Sequence, residues 1–158
     1  MLPYEKHFYL NNRGNSYYFR EDYETALKYF RESQTLVNSR KEMEFEQNLT
    51  MVNLGEIFIL LNQVDSASYY LNKCYSFFKS INSASALYYI ETQLIELALK
   101  QGKIKEARRI VSESVKPDFV EPNMQHIRNK FLQHYFEESG DYQKAYYYQN
   151  KNIKLDDS

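Results

Sequence analysis

All-α is the fold class this sequence predicts, and three observations predict it. Four segments, residues 20–26, 61–67, 101–107 and 139–145, repeat one pattern: a polar turn, an apolar residue, two mostly polar residues, then an alanine. Their alanines, Ala26, Ala67, Ala107 and Ala145, fall 41, 40 and 38 residues apart, a period of the size that marks stacked repeats. Only 4 Gly and 3 Pro in 158 residues leave few turn residues for an all-β design. Apolar positions recur at spacings of three and four, the helical period, and 43% hydrophobic content is enough for a core.

The elements follow in order as four antiparallel pairs, each a helix A and a helix B. In the first pair, helix A spans residues 4–19 with Phe8, Leu10, Gly14 and Tyr17 on one stripe, and helix B spans 23–37 with Ala26, Leu27, Phe30 and Leu36. The second pair spans 42–61 (Met51, Leu54, Ile57, Phe58, Leu61) and 65–79 (Ala67, Leu71, Cys74). The third spans 84–100 and 103–115, carrying Leu87, Leu94, Ala98, Ala107, Ile110 and Val111. The fourth spans 122–138 and 142–155, carrying Ile127, Phe131, Leu132, Tyr135, Phe136, Ala145 and Ile153. Gly102 and Gly140 sit where a helix A must end in a left-handed residue. Asp22, Asp65 and Asp141 lie near the starts of helices B, where a carboxylate accepts from free N–H groups and opposes the dipole. Residues 116–122 form a proline-bounded linker, and Pro122 suits a first helical turn.

In this register the chain resembles the tetratricopeptide repeat family over essentially its whole length. The second repeat carries the pattern best, with Met51, Leu54-Gly55, Phe58, Ala67 and Leu71; the first gives Leu10, Gly14, Tyr17, Ala26 and Phe30. The third and fourth have Ile95 and Gln133 where the family has glycine, a larger residue that spreads the helix pair. The resemblance implies a right-handed superhelical solenoid of about four helix pairs, one domain over 1–158, with repeats at 4–38, 42–80, 84–115 and 122–155. The period exceeds the family's usual ~34 residues, and this longer form is similar to the sensor segments of bacterial regulators. Residues 140–145 running into 155–158 resemble the last repeat of Bacteroidetes regulators, in which the array precedes a membrane helix and a DNA-binding or histidine-kinase module. The expectation is therefore a segment of a longer protein. Its compartment is cytoplasmic if it stands alone and periplasmic if it belongs to a membrane-anchored regulator.

Catalysis is not expected. His126 and His134, eight apart on a helix, are separated by about 12 Å along the axis, too far for a shared metal, and His7 has no local partner. There is no phosphate loop, nucleophile elbow or helical metal motif. Glu137-Glu138 and Asp156-Asp157 are neighbours that point apart on a helix. Cys74, alone, reads as a buried structural thiol. Neither a cofactor nor a metal is expected. The net charge of −1 gives no general basic field for a polyanion, and Glu106 and Glu113 offset the cluster of Lys100, Lys103, Lys105, Arg108 and Arg109, so no nucleic-acid role is expected. The longest uncharged apolar run, residues 57–61, is far short of a membrane span.

A partner surface remains. The resemblance implies a concave groove lined by helix A positions, here Asn11, Asn15, Tyr18, Val52, Glu56, Ile59, Thr92, Glu96, Leu99, Lys130, His134 and Glu137. Such a mixture of amides, aromatics and charges suits a protein or peptide ligand. The carboxylate grip of co-chaperone members is not expected: Asn15 matches it, but Asn11 stands in place of a lysine and Glu56 in place of an asparagine, and Glu56 and Glu96 repel a carboxylate. Tyr146, Tyr147 and Tyr148 fan through about 200° of a helix, so they cannot all be buried. Tyr17 is expected in the core and Tyr148 at an interface. The expected function is a protein- or peptide-binding sensor or interaction module; a stand-alone scaffold that self-associates through its C-terminal helix is the alternative.

Overall fold

The structure, a computed structural model, describes residues 1–157. The described residues form eight α-helices and one short 3-10 turn: α1 Pro3–Phe19, α2 Tyr23–Asn38, the turn Lys41–Met43, α3 Glu44–Leu60, α4 Val64–Ser80, α5 Ala84–Lys100, α6 Ile104–Glu113, α7 Pro122–Glu138 and α8 Tyr142–Asp156. The fold is all-α. Two differences from the expected boundaries have local causes. The helix expected at 42–61 begins with the 3-10 turn, and α6 stops at ten residues because Ser114 is extended (φ −64°, ψ 134°) on the way to Pro117.

One backbone device joins the two helices of each pair. The connectors occupy three residues each, 20–22, 61–63, 101–103 and 139–141. The middle residue is left-handed in all four: Glu21 (φ 61°), Asn62 (φ 58°), Gly102 (φ 72°) and Gly140 (φ 78°). The third residue donates its N–H back to the third-last carbonyl of helix A: Asp22 to Tyr17 (3.0 Å), Gln63 to Phe58 (2.8 Å), Lys103 to Ala98 (2.8 Å), Asp141 to Phe136 (2.9 Å). This is the Schellman closure of a helix end. The same third residue begins helix B, its carbonyl accepting from Ala26, Ala67, Ala107 or Ala145. Asp22 and Asp141 add side-chain caps to the N–H of Thr25 and Lys144, both at 3.2 Å. Asp65 does not cap: it is the second residue of α4, where its charge opposes the dipole. The four alanines are buried because each lies one turn into helix B, facing helix A across the tight turn.

The chain divides into two compact units, Met1–Ser80 and Ile81–Ser158. In the first, α1 packs on α2, α2 on α3 and α3 on α4. Gly14 lies under Phe30 and Gly55 under Leu71 so closely that a Cβ would stand 2.4 Å and 2.6 Å from those side chains. Ala26, Phe30, Val37, Leu54, Leu71, Cys74 and Phe78 complete this core. Burial pushes the Cys74 thiol up to about 12. Phe8, expected on the apolar stripe of α1, is instead 68% exposed; Leu10 and Gly14 take the inner face.

In the second unit, α5 packs on α6 and α7, and α7 on α8. Its core is Ile95, Ala98, Ala107, Ile110, Leu132 and Tyr135, flanked by Leu94, Leu99, Val111, Phe136 and Tyr148. In the linker before α7, Val115 and Phe119 are 78% and 75% exposed, whereas Val120 is buried.

Candidate functional site

The expected partner-facing residues divide into buried and accessible sets. In the first unit, Asn11 is committed to the fold. Its Nδ2 donates to Ser33 Oγ (2.7 Å) and to the His7 carbonyl (2.8 Å), and its Oδ1 accepts from Asn53 Nδ2 (2.7 Å). His7 Nδ1 lies 3.2 Å from Ser33 Oγ, which lies 3.2 Å from Thr50 Oγ1. Burial holds His7 below the usual imidazole range, against an upward pull from Glu46. Tyr18 and Glu56 are brought together across α1 and α3: burial pushes the phenol far up, and the neighbouring Glu56 charge, to which the hydroxyl donates, adds to the shift. Val52, Glu56 and Ile59 are 5%, 4% and 0% exposed, so they are packing residues rather than a partner-facing surface. Asn15 is half-buried.

In the second unit, Thr92 is 0% exposed. Its hydroxyl donates to the Tyr88 carbonyl (2.8 Å) and accepts from Arg128 Nη1 (2.8 Å). Glu96 and His134 meet, with Nδ1 at 2.8 and 3.1 Å from the two carboxylate oxygens, and His134 Nε2 is 3.4 Å from Glu138. Leu99 leans on the core. Lys130 and Glu137 are exposed, the latter accepting from Gln133 Nε2 (2.9 Å). Tyr148, expected at an interface, is half-buried, stacked on Phe136 at 5.7 Å and 3°, because position 148 follows Ala145 by nearly one turn and shares its inner face. Tyr146 and Tyr147, two residues and one residue earlier, are the exposed ones, at 66% and 54%. Tyr17, expected in the core, is half-buried, stacked on Tyr29 at 5.6 Å. In the cluster near α6, Arg109 is paired with two carboxylates, Glu106 (2.6 Å) and Glu113 (2.9 Å).

Sequence reasoning missed a cavity of about 500 Å³ in the second unit. Tyr88, Val120, Gln125, Arg128, Asn129, Leu132, Tyr148 and Leu155 line it together with Lys116, Lys151 and Lys154. No Asp or Glu is among the lining residues. Arg128 is 6% exposed, its guanidinium 4.0 Å over the Tyr88 ring, and Nη1 also reaches the Tyr88 carbonyl at 3.4 Å. Burial lowers Arg128 from its ordinary value, partly offset by Tyr88 and Glu91. The cavity's lining is drawn from α5, the linker, α7 and α8, so no motif within a single repeat signals it.

Among the described residues, no group of three His, Cys, Asp or Glu side chains could hold a metal, and no helix is long and apolar enough to cross a membrane. The fold and these surfaces define the class: an all-helical protein of repeated helix pairs. The crystal structure of BtubC (BKLC) from P. vanneervenii has a similar fold, with a TM-score of 0.70 and 13% identity. The likeness covers 98% of this chain and 65% of that one, so the chain spans about two thirds of its structural relative. No family profile matches the chain, and no curated protein matches its sequence.

Proposed function

We propose that this chain is a tetratricopeptide-type helical repeat that binds a protein or peptide, as the sensor or interaction segment of a larger bacterial regulator. The repeated pairs and the Leu54-Gly55 and Ala67 register support the repeat reading. The observation that carries the binding reading is a row of large side chains left on the outside of α1. Tyr4 and Phe8, four residues apart, are 52% and 68% exposed, with Leu2 and Tyr9 beside them at 65% and 50%. Grouped aromatic and apolar exposure of this kind marks interaction surfaces. The test is affinity capture from the source organism with three baits: wild type, Tyr4→Ser/Phe8→Ser and Asn15→Ala. Loss of a specific partner in the first variant supports the α1 face, and loss in the second supports the groove expected from the sequence. Equal capture by all three baits, or none by any, sinks the reading.

The second reading, self-association through the C-terminal helix, is favoured by one observation. Tyr142, Tyr146 and Ile153 fall on one side of α8 and are 71%, 66% and 52% exposed. Light scattering over a concentration series tests it; a monomer throughout removes this alternative and leaves the first.

A further inference from the structure

We propose that the cavity of the second unit binds a small organic anion, a carboxylate or phosphate ester carried on an apolar body. This site stands apart from the protein-binding reading and does not depend on it.

The argument starts from Arg128. A guanidinium keeps its charge at any pH a folded protein meets, so burial cannot be relieved by losing a proton. Buried charges in proteins are ordinarily paired with an opposite charge. Arg128 has no such partner among the described residues: Nη1 is taken by Thr92 Oγ1 and the Tyr88 carbonyl, both neutral, and no carboxylate lies within ion-pair distance. Glu91 is near enough to feel the charge yet makes its hydrogen bond with Ser114. The Tyr88 ring covers one side of the guanidinium, a weak substitute for an anion. Nε and Nη2 make no hydrogen bond to the described residues, although the fork geometry of arginine suits a planar or tetrahedral oxyanion.

The surroundings extend the same preference. Lys116 and Lys154 are exposed at the cavity wall, and Lys151 lies over the rings of Tyr147 and Tyr148 at 5.2 and 5.7 Å. Four cations and no acidic residue therefore line one concavity in a protein whose net charge is −1. Its volume of about 500 Å³ falls within the range of roughly 300–1,000 Å³ typical of small-molecule sites. Val120, Leu132 and Leu155 supply an apolar wall, which inorganic ions do not use and an organic body does. The acidic groups of this unit's expected partner-facing set, Glu96 and Glu137, are not among the lining residues, and Glu96 sits about 12 Å along α5 from Tyr88.

The test uses the full chain with phenyl phosphate, benzoate and neutral benzyl alcohol as probes at constant ionic strength. Binding is followed by NMR shifts of the Arg128 side-chain N–H and the Leu132 methyls. Saturable shifts with both anions and none with the alcohol are expected. Saturation by phenyl phosphate alone assigns the site to phosphate esters, and by benzoate alone to carboxylates. Lys116→Gln/Lys154→Gln, which removes only exposed groups, should weaken binding by roughly fivefold per lysine, and added salt should weaken it further. Arg128→Gln should abolish it. Equal binding of the alcohol, absence of saturation with both anions, or unchanged affinity in the lysine double variant overturns the proposal.

Discussion

Of the five residues in left-handed backbone among the described residues, three are not glycine: Glu21, Asn62 and Asn82, at φ 61°, 58° and 55°. Gly102 and Gly140 were legible in the sequence as helix terminators, because glycine has no Cβ to strain there. Glu21 was not, since nothing local asks a glutamate to be left-handed; the packing of α1 on α2 imposes it. Glu21→Gly should therefore stabilise the protein by about 1 kcal/mol. Gly102→Ala and Gly140→Ala should each cost about 1 kcal/mol, purely through the backbone, because an added Cβ would meet nothing within 4 Å at either place. Urea midpoints read all three. His7 gives a second prediction. Its imidazole is held below the usual range in the fold, so between that value and the unfolded ~6.5 the unfolded chain binds more protons. Stability is then fully present above about pH 6.5 and falls as pH drops through the folded value. Unfolding curves at pH 8 and 5.5 should show this loss, and His7→Gln should flatten the slope. The isolated look of His7 in sequence hid its partners, Ser33 and Asn11, because one of them comes from another helix 26 residues away.

At the level of helices, the seams are set by what the A helices leave out. Gly14 and Gly55 admit Phe30 and Leu71 against the α1 and α3 backbones. Gly55→Ala should cost about 1–3 kcal/mol by overpacking, and Leu71→Ala should cost roughly 2–5 kcal/mol through a cavity. Combined, the two should cost less than their sum, since each relieves the other's misfit; a double-mutant cycle measures the coupling. These glycines were legible from their place in the repeat, as were all eight helices to within about two residues. The early end of α6, two residues short of the expected one, was not. Its apolar residues, Ala107, Ile110 and Val111, continue in the sequence to Val115, and only the extended Ser114 ends the helix.

Across the molecule, periodicity told which side of each helix packs but not how much of the opposite side other elements would cover. Asn11, Val52, Glu56, Ile59, Thr92 and Glu96 were chosen as partner-facing and are all buried, whereas Asn15, Lys130 and Glu137 keep accessible surface. A pattern within one repeat cannot register a neighbour 36 residues away, such as the Arg128 that occupies Thr92. What stays outside is a low-charge protein with apolar rows: the net charge is −1, the pI near 6.3. Self-repulsion is weakest near that pH. Any association through Tyr142, Tyr146 and Ile153 should therefore peak near pH 6.3 and decline toward pH 8, and Tyr142→Ser/Tyr146→Ser should remove the peak in light scattering.

The four within-pair connectors have identical length, whereas the chain between pairs varies from three residues at 81–83 to eight at 114–121. This sets where the protein tolerates addition. A residue inserted at 20–22 or 139–141 breaks a closure that ends one helix and starts the next, so both lose their terminus. A segment spliced between Val115 and Phe119 extends an exposed link at a loop-closure cost of only about 0.6 kcal/mol per doubling of length. That link is the natural place to graft a tag or a reporter domain, and the helix pair, with its turn, is the smallest piece that can be duplicated or exchanged intact.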